Sequence, residues 1–418
     1  MPLSFRGRIL SGNGFPFTGG PVLPSDLSEL GIWLNAGDLV LSDDDPVSVW
    51  ADASGEGRDF TALDAPVFKT GVINGHPAVL FDGVGDILSA GSDYFYADNT
   101  KSGITLIAVV ESNATTSDLD YVFDFGYAAN NSLSLIYENH SPEMYATLSA
   151  QVTVQTGTAA DSFHILIGRL IFGTRIELLL DGMLQGFYKT TVSQMTTSEI
   201  VESPTRATSS GPPVIGGQSK LSLSTGRYLD GYLAEFVAYR QALSDTDLQS
   251  IVDYFADKYG LTATPGTILT PAMTSNTTPA GCIISSNSEY NSSYAPWHAF
   301  MQDNTTSVSC YISQSPAVLP EWLQMQFTSA VIARGFTFQT RNGGESQNYP
   351  TSFKLQGSNN GTDWTDLHTV TGLSGLISNV WSPTYKIASP GSYTYYRFYM
   401  SALAGSGYVT IGEFALLG

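Results

Sequence analysis

Cysteine is nearly absent from this chain: only Cys282 and Cys310 occur in 418 residues. Two thiols exclude a disulfide framework, and a structural zinc site is not expected. A single bridge between them stays open, although the start Met1–Arg8 lacks the apolar core and cleavage site of a secretory signal. Charge is scarce as well, at 13% of residues, and no apolar run approaches the roughly 20 residues needed to span a bilayer. Heptads that would mark a coiled coil are missing. So are the elements of hydrolytic chemistry. The five histidines are scattered and no Gly-x-Ser-x-Gly elbow occurs. No Glu-x-Asp-x-Glu triplet places paired carboxylates on one strand face, since Asp118-Leu119-Asp120 continues into Val122. The stretch Gly211–Gly217 lacks the lysine of a phosphate loop. An enzyme is therefore not expected.

What is present is Gly, Ser, Thr, Tyr and Phe, a composition suited to short strands and many turns. The net charge of −20 is unevenly spread. Seven acids (Glu289, Asp303, Glu321, Glu345, Asp363, Asp366, Glu413) face five bases (Arg334, Arg341, Lys354, Lys386, Arg397) after residue 262. The first 24 residues carry only Arg6 and Arg8, so the excess acid lies in 25–262. Such a surface argues against nucleic acid and against anionic membranes as partners, and without a spanning apolar run no membrane insertion is expected.

Strand patterns recur at Ile104–Val110, Tyr121–Phe125, Leu133–Tyr137, His164–Leu170, Arg175–Leu180 and Asp230–Tyr239, with a hairpin signal at Asp181-Gly182. One helix is expected. Ser244 with Asp247 forms a capping-box variant, Leu248, Ile251, Val252, Phe255 and Tyr259 make an apolar stripe, and Gly260 supplies the stop. The fold class expected is all-β: two β-sandwich (jelly-roll) domains in tandem, with this helix at the end of the first. The expected boundaries are an irregular arm at 1–24, a first domain at 25–260, a short stiff linker at 261–272 and a second domain at 273–418. The arm is rich in Gly and Pro and holds Phe5, Ile9, Leu10, Phe15 and Phe17, aromatic and aliphatic groups that it cannot bury alone.

Two resemblances sharpen this outline. Trp297–Asn304, Glu321–Phe327, Phe353–Gly361 and Tyr395–Tyr399 follow in an order that resembles the discoidin-like domain of coagulation factors and the related galactose-binding modules. Ser25–Ala36, Val49–Gly55 and Gly75–Gly83 resemble the opening of concanavalin-like, laminin-G-like jelly rolls of bacterial surface and phage structural proteins. The first resemblance implies ligand loops at one end of the domain, matched here by segments carrying Tyr290, Tyr294, Arg341, Asn342, Glu345, Tyr349 and Tyr408 as carbohydrate-binding candidates. It also implies a structural Ca2+ ion held by Asp303, Thr306 and Glu413, although Met301 and Gln302 depart from the family's usual Asp and Gly. Trp297, Trp322, Trp364 and Trp381 are expected to pack in the core.

The function these resemblances imply is non-enzymatic. The leading expectation is a phage virion protein, a tail-fibre or head-fibre subunit at the particle surface that binds host surface polysaccharide. Residues 1–24 would dock on other virion proteins, and by analogy with fibres the chain would be a homotrimer. The alternatives are a decoration protein without a glycan ligand, or the carbohydrate-binding region of a secreted bacterial adhesin or glycosidase, which would be extracellular.

Overall fold

The computed structural model describes residues 22–90, 100–113, 119–125, 133–138, 141–146, 150–153, 162–189, 212–218, 227–263, 266–303, 305–343 and 348–418. The expected arm at 1–24 lies outside them except for its last three residues. The architecture is all-β, as the composition implied.

In the first half, two eight-stranded antiparallel sheets enclose a core that includes Trp50, Phe60, Phe81, Phe123, Phe125, Tyr137 and Phe236. The strand Gly103–Ser112 lies inside one of these sheets, between Asp230–Tyr239 and His164–Ile171. Its Ile104, Leu106, Ala108 and Val110 face the opposite sheet, while Ile107 and Val109 face the other way into a second core. Burial on both faces explains why this segment reads as an unbroken apolar run rather than an alternation. The strand Arg175–Leu180 turns at Asp181-Gly182, both at positive φ, into Met183–Lys189.

The helix α1 (Asp245–Tyr259) covers the outer face of that sheet. Ser244 accepts from the Asp247 amide at 3.1 Å and donates to its carboxylate at 2.7 Å, and Gly260 ends the helix at φ 64°. The five stripe residues are all buried. A polar clasp fixes the helix. The wholly buried Glu235 accepts from the Trp33 indole (2.6 Å), the Tyr259 hydroxyl (2.7 Å) and the Lys258 ammonium (2.5 Å). With so many donors, a carboxylate can sit in the interior without an orphaned charge.

The second half is a smaller sandwich. A five-stranded sheet (Cys282–Ser286, Glu321–Ile332, Ser392–Leu403, Pro350–Ser358, Thr365–Val370, in spatial order) packs on a three-stranded one (Tyr385–Lys386, Gly335–Gln339, Glu413–Leu417). Phe336, Phe338, Phe353, Phe398 and Phe414 meet between them at centroid separations of 4.9–6.2 Å. Cys282 and Cys310 are buried free thiols, so the bridge left open by the sequence does not form. Burial pushes their ionisation up to about 12 and about 11, which leaves them unreactive core residues.

The two sandwiches share a core. Trp381, 1% exposed, packs on the first domain rather than inside its own. Its ring lies 4.8 Å from Phe187 and its indole N–H donates to the Phe187 carbonyl at 3.0 Å. A Cβ at Gly186 would stand 2.5 Å from that ring, so only glycine permits the approach. The stretch expected as a linker is stitched to both halves. Gly266 bridges to Met183, and Leu269 donates to Leu416 at 2.8 Å.

Candidate functional site

The expected ligand loops cluster at one end of the second sandwich. Asn291 caps the short turn Ser292–Tyr294 through its side chain, accepting from the Ser293 amide at 2.9 Å. That turn sets Tyr290 and Tyr294 edge to face, with ring centroids 6.1 Å apart at 74°. Tyr408, from the loop before the last strands, comes within 6.1 Å of Tyr290 at 60°. Tyr290 is 52% exposed, and Tyr294 and Tyr408 are partly so. The Arg341 guanidinium lies 5.6 Å from the Tyr294 ring centre, while its Nε donates to the Ser307 carbonyl at 2.9 Å. Asn342 is tied to the Thr305 carbonyl at 3.0 Å. Three phenol rings and a guanidinium thus converge from three separate loops.

Beneath them is a polar footing that the sequence did not reveal. The Ser288 hydroxyl donates to Glu321 at 2.7 Å and accepts from the Gln314 amide at 3.1 Å. The Ser288 carbonyl accepts from the Tyr311 hydroxyl at 3.0 Å. These bonds fix the base of the Tyr290 loop. A Ser and a Glu 33 positions apart give no local signal, so only the fold pairs them.

One candidate stands elsewhere. Tyr349 is 5% exposed and belongs to the core of the second sandwich, so its ring is a packing element. Glu345 lies outside the described residues. Among the tryptophans, Trp297 packs at the core edge with its ring 3.8 Å from that of His298. Trp322 and Trp364 are half-buried on the outer face of the five-stranded sheet, not in the core.

The three residues expected to hold Ca2+ are already engaged. Glu413 is buried and accepts from the amides of Gln302 (2.9 Å) and Asp303 (3.1 Å). Burial pushes its carboxyl up to about 8 despite those two donors. Asp303 accepts from the Lys189 ammonium of the first domain at 2.7 Å and from the Thr305 hydroxyl at 2.7 Å. Burial pushes Asp303 upward, but Lys189 and Thr305 outweigh it and hold the carboxyl below its ordinary value. The Thr306 hydroxyl is paired with Ser309 at 2.9 Å. The Lys189 ammonium thus holds one of the Asp303 oxygens that a Ca2+ ion would need, and Glu413 and Thr306 are each paired within the protein. Among the described residues no group of three or more His, Cys, Asp or Glu side chains is placed to hold a metal. The Asp52 and Asp82 turns of the first domain are likewise closed by their own backbone amides.

Aromatic loops on a rigid β-sandwich make this end of the second sandwich a candidate binding site, while in the first sandwich Ser162, His164 and Asp181 form a hydrogen-bonded chain, Oγ to Nε2 at 3.0 Å and Nδ1 to the carboxylate at 2.8 Å. Residues 283–414 match the F5/8 type C domain, so the second sandwich is a discoidin-like domain. No curated protein matches the chain. Among solved structures, the chain is similar to chitosan-binding module 1 of a chitosanase/glucanase from Paenibacillus sp. IK-5 (20% identity, 33% of this chain and 96% of that one, TM-score 0.27). It is also similar to the family 32 carbohydrate-binding module of C. perfringens NanJ in complex with galactose (18%, 33% and 93%, 0.28). A third similar structure is the Trypanosoma rangeli sialidase in complex with sialic acid (14%, 57% and 35%, 0.39).

Proposed function

We propose that the protein is a non-enzymatic carbohydrate-binding protein whose glycan contacts are made by Tyr290, Tyr294, Tyr408 and Arg341. The observation that carries this reading is the convergence of three tyrosines and one anchored guanidinium on the loop end of a discoidin-like domain. Phenol rings offer flat apolar faces to sugar C–H groups and hydroxyls at their rims, and arginine offers paired donors to hydroxyl pairs. Because the loops are capped and footed, little conformational entropy is lost on binding.

The finer proposal is that the glycan is a host surface polysaccharide and the setting a phage particle, in a tail or head fibre. Residues 1–24 would fasten the chain to other virion proteins, and a homotrimer would raise avidity by roughly 10²–10⁴ if its sites engage together. This part rests on the aromatic, slightly basic composition of the arm. As for Ca2+, we propose only that such an ion competes with Lys189 for Asp303.

A glycan array probed with the full chain tests the reading. Binding to particular saccharides that weakens on the order of tenfold in Tyr290→Ala and in Arg341→Gln is the expected result. Silence across host-derived polysaccharides would sink it and favour a decoration role.

A further inference from the structure

The outer face of the five-stranded sheet carries a second arrangement that shares no residue with the tyrosine loops. In the central strands, alternate residues point away from the core: Trp322, Gln324 and Gln326 on one, Tyr395, Arg397 and Tyr399 on its neighbour. Pairing across the sheet continues these rows. Gln324, Arg397, Gln356 and Asp366 lie side by side, and Trp322, Tyr399 and Lys354 form the row next to them.

Arg397 sits at the centre. Its guanidinium lies 4.0 Å from the Trp364 ring centre and 5.2 Å from that of Tyr399. Its Nε donates to the Gln356 amide oxygen at 2.9 Å. Gln356 is held in turn, donating to Asp366 at 2.7 Å, and Asp366 also accepts from Lys354 at 2.6 Å. The nearest acid is thus committed to other donors, and Arg397 has no ion pair among the described residues. A guanidinium aligned by a neighbour's hydrogen bond and packed beside two rings, with its terminal nitrogens unpaired, is prepared for a fork-to-fork contact with a carboxylate.

We propose that this sheet face binds a carboxylate-bearing polysaccharide, with Arg397 receiving the carboxylate and Trp364, Tyr399 and Trp322 flanking the sugar rings. Charge complementarity selects the anion: Arg397 is an unmatched positive charge held in a fixed orientation. The flat face selects an extended chain. Tyr395 follows the same face about 13 Å from Tyr399, room for several sugar units. An acidic peptide fits less well, because peptides add to sheets through edge hydrogen bonds, and here the offered groups are side chains in the sheet's middle. This site is independent of the tyrosine loops and does not rest on them.

The test is affinity electrophoresis and calorimetry of the full chain at low salt with polygalacturonate, alginate and hyaluronan, and with methyl-esterified polygalacturonate as the neutral partner. Binding to at least one acid polymer is expected, with loss on esterification of the galacturonate if that is the one bound. Arg397→Gln and Arg397→Lys should each weaken binding by about tenfold or more, the second because an ammonium keeps the charge but loses the fork. Tyr290→Ala should bind the acid polymer like the parent, which separates this site from the loop site. Melting temperatures report folding; should Arg397→Gln be unstable, Arg397→Lys decides. No retention of any of the three polymers, or undiminished binding by Arg397→Lys, overturns the proposal. Equal retention of poly-L-glutamate and of the sugar acids overturns it too, in favour of a general anion site.

Discussion

The helix clasp of the first sandwich and the candidate contact groups of the second use polar side chains in opposite ways. In the first, charged groups are fastened inward: Glu235 gathers Trp33, Lys258 and Tyr259, and Arg169 bridges Glu177 and Asp245 between sheet and helix. In the second, Tyr290 and Arg397 are held in position by neighbours yet left open to solvent or ligand. A clasp that is already satisfied contributes rigidity and has nothing to offer a partner. An oriented group without a partner keeps its interaction energy for a ligand. The acidic first domain therefore reads as a body and the discoidin-like domain as the part that makes contact.

The largest expected effect breaks the body. Glu235→Ala leaves a mostly buried Lys258 and a buried Tyr259 hydroxyl without their acceptor, and should cost about 3–5 kcal/mol in denaturant unfolding. A loss below about 1 kcal/mol would show that the clasp is not what holds α1. Nearly as large is Trp381→Ala, which empties the joint between the halves and should cost about 3 kcal/mol or more. Calorimetry should then resolve two transitions where the parent shows one; an unchanged single transition would mean that the stitched segment 266–272 suffices to couple them.

The pH dependence comes next. Burial raises Glu413 to about 8, above its ordinary value near 4.3, so the folded state holds a proton the unfolded chain has released. Its contribution is complete below about pH 4.3 and is lost as the pH rises toward 8. Asp303, held low, acts oppositely but only below its own ordinary range near 3.9. Melting temperature should therefore fall between pH 5 and 8.5 by more in the parent than in Glu413→Gln; parallel curves would remove Glu413 as the cause. Tyr290→Ala should change stability by no more than ~0.5 kcal/mol, since its ring is half in solvent, while still weakening glycan binding. Stability lost with binding intact would reverse the roles assigned to the two domains. The smallest effect concerns calcium. Millimolar Ca2+ should scarcely move the parent's melting temperature but should raise that of Lys189→Ala. A clear shift in the parent would show that the ion displaces the ammonium unaided.

Local sequence carried much of the outline. The Ser244 cap, the five-residue stripe and Gly260 wrote α1 in full, because each signal acts within a turn or two of backbone. Strand positions were legible from alternation and from turn residues such as Asp181-Gly182. The expectation for the four tryptophans held for Trp381 and, at the core edge, for Trp297, but not for Trp322 and Trp364. Trp322 looks like a core residue until the register with Tyr399 shows which face it occupies, and a shift of one residue would send it to the other; Trp364, just before its strand, is placed on that face by its contact with Arg397. Trp381 looked like core and is core, but of a joint between domains. Its partners at 186 and 187 lie nearly 200 positions away, and no pattern links them.

Fold class, the helix and the aromatic supply of the loops were legible locally, since these depend on backbone preference and periodicity over a few residues. Only the packed fold settled which aromatics stayed open at the loops and which became filling. It also decided that Lys189 takes Asp303 and that Arg397 is left without an acid. Those outcomes turn on distances between residues far apart in the chain, and composition is blind to such distances.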